Sequence, residues 1–238
     1  MGQLEGRIAL VTGASRGIGA AVARRFGAEG AQLVLVARTT GGLEEVDDQV
    51  RRAGGRPATL VPLDLTDGPG IDRLGGALFE RHGRLDVLVG NAGMLGMLSP
   101  TQHLDPDTWQ KTLDVNLTAN WRLIRSMDPL LRRSEAGRAI FVTTCATRMA
   151  APYWAAYVAT KAGLEALVAS WAAELGKTKV KANLLDPGVV RTAMRAKAFP
   201  GERPESLPEP DGIAGAFVRM ASADWTRNGA KISAQELL

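Results

Sequence analysis

The stretch "RIALVTGASRGIGAAVARRF" (residues 7–26) changes periodicity at its centre, and that change decides the fold. Ile8 to Val11 are all apolar, as a strand buried on both faces must be. From Gly17 onward the apolar residues recur at helical spacing. Between the two lies a turn with glycines at 13, 17 and 19. A tight turn favours glycine, and the missing Cβ lets backbone approach a pyrophosphate. The helix that begins there presents unpaired N–H groups to an anion. A glycine-rich turn alone is weak, but between a first strand and a first helix it has the context a dinucleotide site requires.

The alternation continues along the chain. Apolar runs at "QLVLVA" (32–37), "ATLVPL" (58–63), "LDVLVG" (85–90), "AIFVTT" (139–144) and "VKANLL" (180–185) read as strands. Amphipathic segments lie near 17–29, 42–53, 70–82, 106–133 and 155–176, and Asp105-Pro106 offers a cap and a proline first position for the fourth. The prediction is an α/β fold, a doubly wound parallel sheet of six to seven strands flanked by helices with right-handed crossovers (the Rossmann arrangement). No shift in composition divides the chain, so residues 1–238 are expected to form a single domain. "PGERPESLPEP" (200–210) holds four prolines and is expected to be exposed, within a substrate loop of about 188–210. "GAKISAQELL" (229–238) offers at most one short last strand.

Hydrophobic residues make up 45% of the 238 and charged residues 23%, which supplies a sizeable core. Lys plus Arg exceed Asp plus Glu by 29 − 25 = 4, too even a balance to suggest nucleic acid as partner. Cys145 is the only cysteine, so no intrachain disulfide can form and a reducing compartment is expected. "MGQLEGRIAL" lacks the basic start and apolar core of a signal peptide, and no apolar run approaches the roughly 20 residues that span a bilayer. The expectation is a soluble cytoplasmic protein with no membrane partner. His82 and His103 are the only histidines, which argues against a catalytic metal.

At the end of the second strand an NAD site typically holds an acid for the adenosine ribose. Here "VARTT" places Ala37 at that position and Arg38 next to it, with Arg16 in the glycine turn. Two guanidiniums and no carboxylate suit a 2′-phosphate, so NADP(H) is expected over NAD.

With these residues the chain resembles the short-chain dehydrogenase/reductase family over about residues 7–192. "TGASRGIG" (12–19) matches its TGxxxGIG turn, Asp64 in "LDLTD" its adenine-contacting Asp, and "GNAG" (90–93) its NNAG, with Gly90 replacing the first Asn. Asn116 in "DVNL", Tyr157 and Lys161 in "YVATK", and "PGVVRT" (187–192) follow in the family's order. "RTAMRAKAFP" (191–200) is similar to a bacterial subgroup of oxidoreductases with unassigned substrate. The resemblance implies cofactor contacts from Gly13, Ser15, Arg16, Gly17, Ile18 and Gly19 in the turn, and from Arg38, Asp64 and Leu65 beyond the next strands. Asn91, Ala92 and Gly93, then Tyr157 and Lys161, then Pro187, Gly188, Val190 and Thr192 complete the implied set. It also implies hydride transfer between nicotinamide and a small carbonyl or alcohol substrate, in the reducing direction. Pairing of the fourth and fifth helices into a homodimer or homotetramer is implied too, and the small apolar face of "AAYVATKAGLEALVASWAAEL" (155–175) would allow it.

Residues four apart on a helix share a face, so Tyr157 and Lys161 should point into the cleft together. Tyr157 can give a proton to an alkoxide, and a nearby ammonium should lower its pKa from the usual ~10. The resemblance gives Lys161 a hold on the nicotinamide ribose and Asn116 a water-linked proton path. Asn116 equally suits a structural tie between neighbouring segments. Thr144 stands thirteen residues before Tyr157, where the family has serine. It keeps the hydroxyl that orients a carbonyl but adds a methyl and restricts χ1. By the period of two, Thr143 should face away; a register shift would bring Thr143 or Cys145 to the cleft instead. Thr144 and Gly90 favour an alternative reading, an NADP(H)-binding redox sensor or scaffold with little turnover.

Arg122, Arg125, Arg132 and Arg133 read as a solvated face or a landing patch for an anionic partner. Arg191, Arg195, Lys197 and Arg203 could serve anionic substrates, while Met94, Leu95, Met97, Met149, Trp154 and Met194 are candidates for an apolar pocket wall.

Overall fold

The computed structural model describes residues 2–149 and 151–238. Seven strands form one sheet: β1 (Ile8–Thr12), β2 (Gln32–Ala37), β3 (Thr59–Pro62), β4 (Val87–Gly90), β5 (Arg138–Val142), β6 (Lys181–Asp186) and β7 (Lys231–Ser233). Their order is β3-β2-β1-β4-β5-β6-β7, and every neighbouring pair is parallel. The helices are α1 (Gly17–Ala28), α2 (Thr40–Arg52), α3 (Gly68–His82), α4 (Pro106–Leu113), α5 (Ala119–Leu131), α6 (Ala155–Glu174), α7 (Ala193–Ala198) and α8 (Ala214–Ala221). Strand order reverses between β1 and β4, which opens a crevice at the carboxyl ends of those strands.

Alternation along the strands divides the core in two. Ala9 and Val11 of β1 join Leu33 and Leu35 of β2 on one face, under Phe26 of α1, Val50 of α2 and Phe217 of α8. Ile8 and Leu10 join Val34 and Val36 on the other, under Leu74 of α3, Leu123 and Met127 of α5, and Val168 and Trp171 of α6. Each such fully buried side chain contributes about 1.5–3 kcal/mol, so burial on both faces holds the sheet between its helix layers. Among the described residues no helix is long and apolar enough to cross a membrane.

Boundaries differ from the sequence reading in informative places. β5 ends at Val142, because Thr144 leaves the sheet and caps a 3₁₀ turn (Cys145–Arg148) by accepting from Ala146 N. The helical run expected over 106–133 is interrupted by a π turn (Asp114–Thr118) between α4 and α5. Asp105 does cap α4, accepting from Thr108 N. The expected loop at 188–210 contains α7, capped by Thr192 through Arg195 N, and α8 follows it. Both are under three turns long, too short for periodicity to declare them.

Gly90 has a packing reason. It pairs with Phe141 across β4 and β5, and the fully buried Phe141 ring folds over it. A Cβ on Gly90 would lie 2.3 Å from Phe141 Cδ1 and 2.8 Å from Asn120 Oδ1. Trp171 pins the ring edge-on at 6.3 Å, so it has no direction in which to yield. Gly90→Ala should therefore lose about 1–3 kcal/mol through overpacking. In the same denaturation experiment, Gly90→Ala combined with Phe141→Leu should cost clearly less than the sum of the two single changes.

Candidate active site

The carboxyl ends of the strands collect the residues singled out above. Gly13 and Gly17 adopt positive φ, +63° and +57°. A Cβ on Gly13 would sit 2.9 Å from Ala92 Cα, and one on Gly19 only 2.3 Å from Gly13 O, so the turn folds tightly against α1 and the β4 end. Asn91 locks the contact: its Nδ2 donates to Thr12 O at 2.8 Å, and its backbone N–H donates to Thr12 Oγ1 at 3.0 Å. Ala92 N donates to the same hydroxyl at 3.1 Å.

Around this turn the charges are arranged for an anion. Arg16 is exposed at the start of α1, whose N-cap has no side-chain hydrogen bond. Arg38 is exposed just past β2, with Ala37 before it and Thr39 after it. Asp64 beyond β3 is held below the usual carboxylate range, first by the Thr66 N–H and also by the Thr66 hydroxyl and the charge of Arg38. On the far side, a Cβ on Gly93 would stand 3.3 Å from Asn116 Oδ1 and 3.6 Å from Lys161 Nζ. Backbone without side chains, unpaired N–H groups and two guanidiniums can together hold an extended phosphate-bearing ligand.

Asn116 sits in the π turn, fully buried. Its Nδ2 donates to Met94 O at 2.8 Å and Thr160 Oγ1 at 3.0 Å, while its Oδ1 accepts from Met94 N at 2.8 Å. The side chain thus ties the loop after β4 to α6. Its backbone carbonyl accepts from Asn120 Nδ2 at 2.8 Å. Single-turn π segments of this kind recur at functional sites.

Tyr157 and Lys161 lie one turn apart on α6 with opposite shifts. Burial, then the charges of Asp186 and Cys145, push the Tyr157 phenol up to about 12, and a hydrogen bond with the Thr144 hydroxyl pulls the other way. Burial lowers Lys161 to about 8, with Glu165 opposing it. The expected lowering of Tyr157 by the lysine is not what the structure holds. Lys161 Nζ donates to Val142 O at 2.7 Å, and for the phenol desolvation outweighs every nearby group. Thr143 points to Glu165 and Cys145 is exposed, which leaves Thr144 as the strand-end hydroxyl on Tyr157.

The rim is aromatic. Trp154 packs edge-on against Tyr157 at 5.8 Å, Phe199 of the segment after α7 packs on Trp154 at 5.7 Å, and Arg195 lies over Phe199 at 3.8 Å. Met97, Met149 and Val189 are exposed in the neighbouring loops, whereas Leu95 is buried. Of the four cations expected to meet anionic substrates, two have acidic partners within their own loop: Arg195 with Glu202 at 2.6 Å, and Arg191 with Glu209. Arg122 and Arg125 pair with Asp72, Arg132 pairs with Asp128, and Arg133 lies over Phe79, so two carboxylates answer part of that row's charge. Among the described residues no three His, Cys, Asp or Glu side chains cluster to hold a metal. Glu165 and Lys231 escaped the sequence reading although they bind the segment around Thr144; only Glu165, four residues after Lys161, carried a signal.

Comparison with known proteins agrees with this geometry. The short chain dehydrogenase family model matches residues 7–203. The uncharacterized oxidoreductase YciK of Escherichia coli K12 is 34% identical over 226 residues, 94% of this chain and 89% of that protein. The 3beta-hydroxysteroid dehydrogenase 1 of Eggerthella lenta is 33% identical over 225 residues, 92% of this chain and 85% of that one. A structure from Escherichia coli CFT073, assigned only provisionally as a short chain dehydrogenase and complexed with NADPH, superposes with a TM-score of 0.93 at 33% identity, covering 98% of each chain. By this family match over most of its length and its likeness to these relatives, the chain belongs to the short-chain dehydrogenase family of oxidoreductases.

Proposed function

We propose that this protein is an NADPH-dependent reductase of small carbonyl compounds in which Tyr157 delivers the proton. The observation that carries the reading is a partly buried phenol, pushed up to about 12 chiefly by desolvation, on the same helix face as Lys161. The cofactor part rests on the glycine cradle, on Arg16 and Arg38 with no acid at Ala37, and on the NADPH complex of the similar Escherichia coli protein. The residues implied for this role fit such a ligand, since Gly13, Gly19 and Gly93 each stand where a Cβ would crowd the cradle.

When bound, the reduced dinucleotide supplies a hydride to the carbonyl carbon. The chain's own residues do the rest. The Thr144 hydroxyl orients the carbonyl oxygen, and Tyr157 donates a proton to the oxygen as it becomes an alkoxide. An alkoxide is a stronger base than any phenolate, so a phenol near 12 gives its proton readily while remaining protonated at neutral pH. This favours reduction over oxidation. Lys161, rotated from Val142 O, would hold the ribose end of the cofactor, with Pro187, Gly188, Val190 and Thr192 enclosing it. Asn116 keeps the loop after β4 against α6 and so sets the floor of the site.

A homodimer or homotetramer suits the same chain. Ala159, Ala162, Ala166, Ala169 and Ala173 form an exposed small-residue stripe on α6, and Trp121 on α5 is 44% exposed.

NADPH consumption against a broad carbonyl panel tests the reading. Turnover should prefer NADPH to NADH by at least about tenfold, equalise in Arg16→Ala/Arg38→Ala, and fall by at least about a hundredfold in Tyr157→Phe. Tight NADPH binding with no turnover on any carbonyl would instead favour a sensor. The pH dependence has a sign. The Lys161 ammonium deprotonates near pH 8 in the folded chain, so kcat/KM should fall as pH rises through that value. Stability should move the opposite way, because above pH 8 the unfolded chain still binds the proton that the folded one has released. Lys161→Met should remove that gain in a denaturation series from pH 7 to pH 9.5. Light scattering should give a mass of two or four chains, and a monomer mass would reject the assembly.

A further inference from the structure

Thr144 lies beyond the end of β5 at Val142, so the sheet itself does not aim its hydroxyl toward Tyr157. A serine could turn its hydroxyl by rotating χ1. Threonine is stiff at χ1, so its backbone sets where the hydroxyl points. That backbone is held from two distant parts of the chain. Glu165 lies one turn beyond Lys161 on α6, and its Oε1 accepts from Thr143 Oγ1 at 2.5 Å, Thr147 Oγ1 at 2.9 Å and Lys231 Nζ at 2.6 Å. Lys231 comes from β7 and donates also to Thr147 Oγ1 at 2.8 Å and to the Thr144 carbonyl at 3.0 Å. The three ammonium hydrogens meet three acceptors, its full capacity. The residue before Thr144, its own carbonyl and the residue three after it are thus gripped together, by two charged side chains only 21% and 22% exposed.

We propose that Lys231 and Glu165 form a positioning pair that fixes the Thr144 hydroxyl against Tyr157, so that the last strand of the sheet takes part in the chemistry. The role given to Thr144 rests on the reductase reading above; the grip of Lys231 and Glu165 on its segment does not. A largely buried ion pair is a weak source of stability, because desolvation offsets much of its Coulombic gain. Orientation is the effect this one is built to supply, since its bonds converge on a single five-residue segment, 143–147. Burial works against the charge of Glu165, yet the bonds from Lys231, Thr143 and Thr147 hold it below the usual carboxylate range. The Glu165 carboxylate therefore stays ionised at neutral pH. Lys231→Met keeps the stem and removes all three donors. Glu165→Gln keeps the volume and an acceptor oxygen but removes the charge.

The chain has only two tyrosines, Tyr153 and Tyr157, so Tyr153→Phe leaves Tyr157 as a single reporter. With carbon-13 at tyrosine Cζ, its NMR signal at pH 7 reads the hydrogen bond to the phenol directly, with or without turnover. Thr144→Val, in that parent, defines the displacement caused by losing the hydroxyl. Lys231→Met should reproduce at least half of that displacement, Glu165→Gln should move the signal the same way, and Lys231→Met should add nothing once Thr144 is valine. Glu165→Gln decides the matter if Lys231→Met does not fold. The proposal is overturned if Thr144→Val leaves the signal in place, if the pair variants do not move it, or if they move it equally in the Thr144→Val chain. On a turned-over carbonyl, Lys231→Met should also lower kcat about tenfold while NADPH affinity stays within about twofold. A parent chain with no turnover on the panel would sink the reductase reading alone, because the Tyr157 signal still decides the positioning.

Discussion

Thr12 and Asn91 hold the two halves of the sheet together where the strand order reverses, and the rest of the site depends on that contact. The buried Thr12 hydroxyl donates to Val89 O and accepts from the backbone of Asn91 and Ala92, while the Asn91 side chain reaches back to Thr12 O. Each of these groups would otherwise be an unpaired polar atom in the interior, at a cost of about 1–3 kcal/mol. Drawing β1 and β4 so close leaves no room for side chains where the chains part, which is why Gly13 faces Ala92 and Gly93 faces Asn116. The crevice exists because the polar groups are satisfied around it and the side chains are missing within it.

Burial does the second part of the work. One helix, α6, places a phenol and an ammonium in the same low-dielectric region, and the two respond in opposite directions. Desolvation disfavours the phenolate and the ammonium alike, so Tyr157 rises to about 12 and Lys161 falls to about 8. Neighbouring groups come second: the charges of Asp186 and Cys145 add to the first shift and the Thr144 hydroxyl opposes it, while Glu165 opposes the second. Tyr157 thereby stays protonated at neutral pH, and Lys161 is left near the pH at which it can change state.

Gly90 and Thr144 both depart from the family's residues, and the structure gives each a local cause. Phe141 fills the space above Gly90, and Asn120 occupies the neighbouring polar position, bonding the Asn116 carbonyl. Around Thr144, Glu165 and Lys231 hold the backbone and hydroxyls of residues 143–147. In the rim, acids within the same loop answer Arg191 and Arg195, so the surface over Tyr157 is mainly Trp154 and Phe199. These compensations lie among residues far apart in the chain.

Strand and helix periods, the glycine turn and the spacing of Tyr157 and Lys161 are local patterns, and local patterns survive in a linear sequence. By itself the sequence therefore determined the parallel sheet, the cap at Asp105, the cradle at 13–19 and the shared helix face of the 157–161 pair. Tertiary structure alone decided where β5 stops, the π turn at Asn116, the short helices α7 and α8, the ring above Gly90 and the knot of Lys231 with Glu165. It also reversed the expected lowering of Tyr157. A pKa follows from the amount of water excluded around the group, and a clamp between residues 66 positions apart follows from which strands become neighbours. Both are properties of packing, and no local window of sequence contains them.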